Sequence, residues 1–189
     1  MGTIKTTNIE TITGSGTLTL GQSGETISIP SGVTMSVPSG GLSGQNYPAF
    51  EATLTSNQTI SNNTATKVQF NNEIFDTNSN YDPTTNYRFT ASESGKYFIY
   101  SSLTLAGVNN REHEIYFAIR VNNSEVRRII FSEDLTQSTC AGVNLSTIVS
   151  LSATDYVEIF ITQADYTTLG TMNVLNNISS VFGGYKLIE

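Results

Sequence analysis

Apolar residues in positions 1–46 come as short alternating pairs rather than as long runs. Each pair brackets one polar residue, which is the period-two pattern of a β-strand with one buried face. Gly-rich or Pro-Ser-Gly corners separate the pairs, as tight turns require. This regular alternation favours short strands over a flexible Ser/Thr/Gly linker, which would lack it. The residues expected to face inward are Leu18, Leu20, Ile27, Ile29, Met35 and Val37.

A short repeat lies within this region, where Ser28–Gly32 (SIPSG) returns as Ser36–Gly40 (SVPSG). Strands with two apolar side chains each bury too little surface to offset the entropy lost on ordering. Repeated units that cannot bury their own apolar face need neighbours. We therefore predict a β stalk over residues 1–46, in which three copies wind around one axis with Pro30 and Pro38 at the corners.

The pattern changes at Tyr47, from which aromatic residues become frequent and longer alternating runs follow one another. The runs KYFIYSSLTLAG, HEIYFAIRV and EVRRIIF are typical of strands, and the Asn-Asn-Ser between the last two predicts a hairpin turn. No stretch has sustained helical periodicity. Residues 47–189 are therefore predicted to form an all-β sandwich or jelly roll.

Composition excludes several classes of protein. The net charge of −7 argues against a nucleic-acid partner, whose phosphates require a basic face. No apolar run approaches the roughly 20 residues of a transmembrane helix, and the N-terminus lacks the apolar core of a secretory signal, so no membrane partner is expected. Cys140 is the single cysteine, which excludes a disulfide framework. We interpret it as a small apolar residue of a strand.

Motifs in residues 47–189 follow one another in the order of a known family. An opening Phe-x-Ala, an aromatic before a variable loop, a Tyr-Asp, a Phe-Thr and a closing aromatic-Gly-Gly-aromatic strand resemble the C1q/TNF-like jelly-roll head. The matching positions are Phe50, Ala52, Phe70, Tyr81, Asp82, Phe89, Thr90, Gly95, Tyr97, Phe98, Leu151, Asp155, Val157, Phe182, Gly183, Gly184 and Tyr185.

The resemblance implies a C1q/TNF-like antiparallel jelly roll that assembles as a homotrimer. It also implies a motif core, for which we select Phe50, Phe70, Phe89, Gly95, Tyr97, Phe182 and Gly183. The chain has no Gly-x-y collagen run, so any stalk is a β stalk rather than a triple helix. The predicted organisation is a Ser/Thr/Gly-rich β-repeat stalk over 1–46 and a C1q-like jelly-roll head over 47–189.

The segment Thr17–Gly32 is similar to N-terminal pieces of bacteriophage fibre and capsid-decoration proteins. This similarity implies a structural protein on a virion surface, either a homotrimeric capsid decoration (cement) protein or a short head fibre. Its partners would be its own copies and, through the N-terminal segment, the major capsid protein or another virion component. The alternative is a receptor-binding tail-fibre or adhesin module that recognises host surface glycans through its Asn-, Tyr- and Thr-rich loops.

Candidate chemistry is sparse, and no enzyme activity is expected. His113 lacks the further His or Cys ligands that zinc requires, and no Gly-x-Ser-x-Gly nucleophile motif occurs. The paired acids Glu133–Asp134 and the acids Asp76 and Asp82, which a polysaccharide-cleaving enzyme could use, are interpreted as solvated turn acids. No cofactor is expected, with one calcium ion held by Asp76, Asp82 and the loop Asn71–Asn86 as the alternative.

Overall fold

The computed structural model of the chain describes residues 31–33, 48–106, 112–134, 140–165, 172–176 and 178–187. Internal contacts divide the chain into two units, residues 1–42 and 43–189. The six predicted stalk residues and the predicted boundary at 46/47 lie outside the described residues and stay predictions. In the first unit Ser31 and Gly32 form a turn, and the φ of Gly32 is +84°, which glycine adopts without strain.

The described part of the second unit is built from antiparallel strands and contains no helix. In chain order the strands are β1 (Ala49–Thr53), β2 (Gln58–Ile60), β3 (Thr66–Lys67), β4 (Asn72–Asp76), β5 (Tyr81–Asp82), β6 (Arg88–Thr90), β7 (Gly95–Ala106), β8 (Glu112–Val121), β9 (Ser124–Asp134), β10 (Cys140–Leu151), β11 (Tyr156–Asp165), β12 (Met172–Val174) and β13 (Val181–Lys186). Within the described ranges, therefore, no helix could span a membrane.

The strands form two sheets. In sheet A the order across the sheet is β10–β7–β13–β1–β4. Strand β12 also pairs with β7, beyond the residues of β7 that pair with β13, and β2 pairs with the other edge of β12. In sheet B the order is β9–β8–β11–β6–β5, and β3 pairs with β11 beyond β6. The predicted all-β sandwich of antiparallel strands is thus confirmed for the head.

An aromatic cluster occupies the centre between the sheets. The ring of Phe50 stacks on Phe89 at 4.6 Å and on Tyr81 at 5.2 Å between centroids, and it meets the edge of Phe182 at 4.9 Å. Such pairs stabilise the fold beyond the area that they bury. Of the seven predicted motif residues, Phe50, Phe70, Phe89, Tyr97 and Phe182 lie in this core. Gly183 is buried beneath the Tyr100 ring on the outer face of sheet A, and Gly95 is half-buried at the start of β7.

The hairpin between β8 and β9 turns on two residues, Asn122 and Asn123, with φ values of +49° and +66°. Asparagine tolerates these left-handed angles, which a two-residue hairpin turn requires. The side-chain amide of Asn122 donates to Asp155 Oδ1 at 2.7 Å, and its oxygen accepts from the N–H of Tyr156 at 3.0 Å. The predicted turn is therefore also tied to the start of β11.

Two parts of the structure differ from the sequence interpretation. Cys140 is exposed at the start of β10, so it is not the buried filler that we expected. Strand β4 lies in a stretch that did not predict a strand, because a bulge places Ile74 and Phe75 both in solvent and interrupts the apolar alternation.

Candidate interaction surface

The outer face of sheet A carries an apolar cluster, here called the aromatic face, made of the half-buried rings of Phe98, Tyr100 and Tyr185 and the exposed side chain of Ile148. Phe98 lies 5.5 Å from Tyr185 and 6.1 Å from Tyr100 between ring centroids. Ile148 of β10 is paired with Phe98 of β7, and 57% of its surface is exposed. These residues alternate with the core residues of the same strands, so the sheet is apolar on both faces here. A contiguous apolar cluster on a surface is typical of an interaction site.

Tyr100 is held within this face by a hydrogen bond across β13. Its hydroxyl donates to Glu51 Oε2 at 2.6 Å, passing over Gly183. A Cβ atom at Gly183 would lie 2.4 Å from Tyr100 Cζ, so a larger residue there would displace the ring. Burial, followed by the hydrogen bond to the Glu51 carboxylate, raises the pKa of Tyr100. The hydroxyl therefore remains a neutral donor, and the ring is fixed against the sheet.

A groove of about 370 Å³ lies beside these rings, between β7 and β10. Its lining combines aromatic rings, serine hydroxyls and one amide, from Phe98, Tyr100, Ser101, Ser102, Asn144, Leu145 and Ser146. No residue of this lining is a histidine or an acid, so the groove holds no nucleophile with an adjacent base. The groove therefore offers ring surfaces together with hydroxyl and amide groups.

The outer face of sheet B is organised differently, because its cations lie over aromatic rings. Arg120 lies 4.0 Å above the Phe160 ring and also pairs with Glu125 at 3.1 Å. The Arg88 guanidinium lies 4.1 Å above the ring of Tyr156. These cations are occupied by interactions within the head. Arg88 and Arg120 therefore offer little free positive charge to an anionic partner.

A buried ion pair links distant segments on sheet B. Lys67 Nζ contacts Glu158 Oε1 and donates to the backbone oxygen of Asn86 at 3.1 Å. Only 3% of the Glu158 side chain is exposed, and its Oε2 has no hydrogen-bond partner among the described residues. Burying a carboxylate is costly unless a cation compensates it. Lys67 therefore holds β3 and the loop before β6 against β11.

The acids considered for calcium are engaged by their own loops. Asp76 accepts hydrogen bonds from the N–H groups of Asn78 at 3.1 Å and Tyr81 at 2.6 Å. Asp82 accepts from the N–H groups of Thr85 at 2.9 Å and Asn86 at 3.0 Å. These contacts are those of turn-capping acids. The described residues contain no cluster of three or more acidic, histidine or cysteine side chains, and calcium binding stays a prediction.

The loop of Asp82 predicts a specific response to acid. The N–H of Thr85, and then those of Thr84 and Asn86, lower the pKa of Asp82 below its ordinary value. The ionised carboxylate thus stabilises the fold above its unfolded pKa of about 3.9, and this contribution is lost as the pH falls through the lowered folded value. In urea unfolding between about pH 6 and 2, Asp82→Asn should be less stable than the parent protein at pH 6, with the difference shrinking towards pH 2. A difference that stays constant with pH would contradict this assignment.

His113, Glu133 and Asp134 do not extend the candidate chemistry. His113 lies on β8, opposite Glu133 of β9 and Asp165 of β11 in the strand register. Their side chains lie outside the described part of the structure. Glu133 and Asp134 are the last two residues of β9, so they belong to a strand and are not the turn acids of the sequence interpretation.

Comparison with known proteins identifies the head. The family model described as the C1q domain matches residues 49–187. The chain belongs to the C1q domain family. No curated protein sequence matches the chain.

Solved structures share the fold of this C1q domain. The globular domain of zebrafish complement 1qA protein is 18% identical, with a TM-score of 0.51, over 75% of this chain and 98% of its own. Murine APRIL at pH 5.0 is 12% identical, with a TM-score of 0.54, over 74% and 98%. The Eiger TNF protein from S. frugiperda is 12% identical, with a TM-score of 0.52, over 75% and 92%. Identities this low show that the fold is shared, and they carry no information about partners.

The motif residues that we chose from the sequence lie in a different part of the C1q domain from the aromatic face. Phe50, Phe70 and Phe89 lie in the core and cannot reach a partner. Phe98 and Tyr185 matched the family motifs but were not chosen as site residues, and Tyr100 and Ile148 were not singled out, because all four share strands with core residues. The signal was present in KYFIYSSLTL, where aromatic residues occupy both phases of the alternation rather than one.

Proposed function

We propose that the chain is a non-enzymatic structural protein of a virion surface, working as a homotrimeric capsid decoration protein or short head fibre. The C1q domain forms the head, and residues 1–46 anchor it to the major capsid protein or another virion component. The setting on a virus particle is supported by the similarity of Thr17–Gly32 to phage fibre and decoration proteins. The trimer is supported by the stalk pattern and by the C1q/TNF-like resemblance.

The observation that carries the homotrimer is the aromatic face. An exposed isoleucine beside three aromatic rings would remain in water in a monomer, whereas self-association would bury it. The fixed Tyr100 ring makes this face a rigid surface, so little side-chain entropy is lost when a neighbour covers it. The non-enzymatic role is supported by the lining of the adjacent groove, which has hydroxyl and amide groups without an acid or a base.

The proposed roles of head and anchor are separable by truncation. Removal of residues 1–46 should leave a trimeric head, since the aromatic face remains, but abolish attachment to particles. Light scattering measures the oligomer and co-sedimentation with particles that lack the protein measures attachment, with the full chain as control. Full attachment by the truncated protein would contradict the anchor, and a full chain that stays monomeric would contradict the homotrimer.

A receptor-binding module for host glycans is the second candidate, and the groove beside Tyr100 favours it. Aromatic rings together with Asn144 and Ser146 provide the stacking surface and polar groups with which small ligands are held. In this case a glycan array should give saturable binding that Asn144→Ala removes, and binding should compete with self-association. An array without signal would remove this candidate.

A further inference from the structure

Each of two edge strands of the sandwich contains a β-bulge that places an aliphatic side chain in solvent. One bulge lies in β9 at the end of sheet B, and the other lies in β4 at the end of sheet A. Bulges at sheet edges re-aim side chains and prevent simple strand pairing. The two bulges therefore determine what the two edges can contact.

At the β9 edge the bulge combines an aliphatic residue with a positive charge. Ile119 of β8 lies opposite Arg127, whereas the next residue of β8 lies opposite Glu125. Val126 is therefore the extra residue, and 43% of it is exposed. Among the described residues Arg127 is exposed and has no ion-pair partner. Ile130 of the same strand adds a further exposed aliphatic side chain.

At the β4 edge the bulge combines an aliphatic residue with a negative charge. Glu51 of β1 lies opposite Phe75, whereas the next residue of β1 lies opposite Glu73. Ile74 is the extra residue and is 53% exposed, and Phe75 beside it is exposed as well. In the described part of the chain Glu73 is exposed and makes no ion pair. Neither β1 nor β4 contains a lysine or arginine.

The two bulges lie on opposite sides of one head. Strand β9 is next to β10 at one side of the sandwich, while β4 ends sheet A on the other side, beyond β7, β13 and β1. They therefore cannot meet within one copy of the chain. We infer that the β9 bulge of one copy docks against the β4 bulge of the next, with Arg127 facing Glu73 and Val126 packing on Ile74.

This inference rests on the proposed homotrimer and specifies how its copies meet. A contact between two different surfaces is head-to-tail, and it closes into a ring when the rotation between copies permits. Phe75 also connects the β4 bulge to the aromatic face, because Glu51 opposite it holds Tyr100. The docked edge and the aromatic face would therefore be parts of one continuous interface.

Symmetric pairing of like edges is disfavoured by charge. Two β9 edges in contact would bring Arg127 against its own copy, and two β4 edges would do the same with Glu73. Like charges across an interface are repulsive, whereas opposite charges favour one register and one orientation. A basic partner of another kind would satisfy Glu73, but it would leave Arg127 and Val126 of the same head without a contact.

Charge reversal in the full-length chain tests the docking. Arg127→Glu and Glu73→Lys should each weaken assembly by about tenfold or more, since each places like charges in contact. The double variant restores opposite charges with exchanged positions and should assemble within about threefold of the parent protein. Light scattering over a dilution series measures the assembly, and Ser61→Lys, in an exposed loop, is the control for a change of charge alone.

The outcomes separate this docking from the homotrimer itself. A parent protein that stays monomeric at every concentration overturns both. A parent trimer that is insensitive to the single reversals, or weakened by them without recovery in the double variant, overturns the docking but leaves the homotrimer in place. Circular dichroism of each variant distinguishes lost assembly from lost folding, and the exposure of both residues predicts unchanged spectra.

Discussion

Replacing Phe50 by alanine is expected to lower the free energy of unfolding by about 3–5 kcal/mol. Phe50 is 1% exposed and contacts the rings of Tyr81, Phe89 and Phe182, which come from both sheets. Its removal would leave a cavity at the centre of the sandwich and remove several ring pairs at once. Urea unfolding followed by circular dichroism measures the change.

Phe75 supplies a matched control for this substitution. It is also a phenylalanine of sheet A, in the strand next to β1, but it is 44% exposed at the β4 edge. Phe75→Ala should lower the stability of the monomeric protein, measured at a dilution at which the copies are dissociated, by about 1 kcal/mol or less, since exposed apolar atoms lose little on removal. Equal effects of the two substitutions would show that the Phe50 cluster is not the centre of the core.

The second large effect is expected at the ion pair of sheet B. Lys67→Ala would leave the nearly fully buried carboxylate of Glu158 without its cation and should destabilise the fold by about 3 kcal/mol or more. The double variant Lys67→Met with Glu158→Leu removes both charges while keeping apolar volume. It should recover most of that loss, because well-packed apolar residues can replace a buried pair.

The matched control for the lysine is Lys96, an exposed residue of β7. Lys96→Ala should change the unfolding free energy by about 0.5 kcal/mol or less, as for most surface substitutions. Thermal and urea unfolding of all four proteins would test the difference. If the double variant were as unstable as Lys67→Ala, the loss would come from packing of the lysine stem and not from the uncompensated carboxylate.

The sequence predicted those strands and turns in which the residue pattern along the chain matches which residues are buried in the structure. Strands β7 and β10 bury nearly every second residue, and the Asn122–Asn123 turn has residues that tolerate left-handed angles. The central rings could be chosen from the family pattern because a jelly roll buries one phase of each strand. Local pattern was therefore sufficient for the all-β fold class, and the family resemblance supplied the residues chosen for the core.

The candidate surface could not be predicted in the same way, since it depends on contacts between distant residues. Lys67 and Glu158 are 91 positions apart, and neither has a local pattern that marks a buried charge. Ile74 and Val126 are exposed through bulges, which shift the register by one residue and leave no compositional signal. The stalk residues stay predictions, as do the virion setting, the anchor and the glycan alternative.

The pairing of β1 with β13 determines how the head would respond to mechanical force. Ala49 at the start of β1 lies beside Tyr185 near the end of β13, and the two strands run antiparallel. A pull applied at Ala49 and Lys186 would therefore load the β1–β13 hydrogen bonds at one end of the strand pair first. These hydrogen bonds would then break in sequence, one residue pair after another. Such peeling requires less force than sliding two strands past each other, where all hydrogen bonds share the load. The first pairs to separate would be Ala49–Tyr185 and Phe50–Gly184, and the second of these would uncover the central ring cluster.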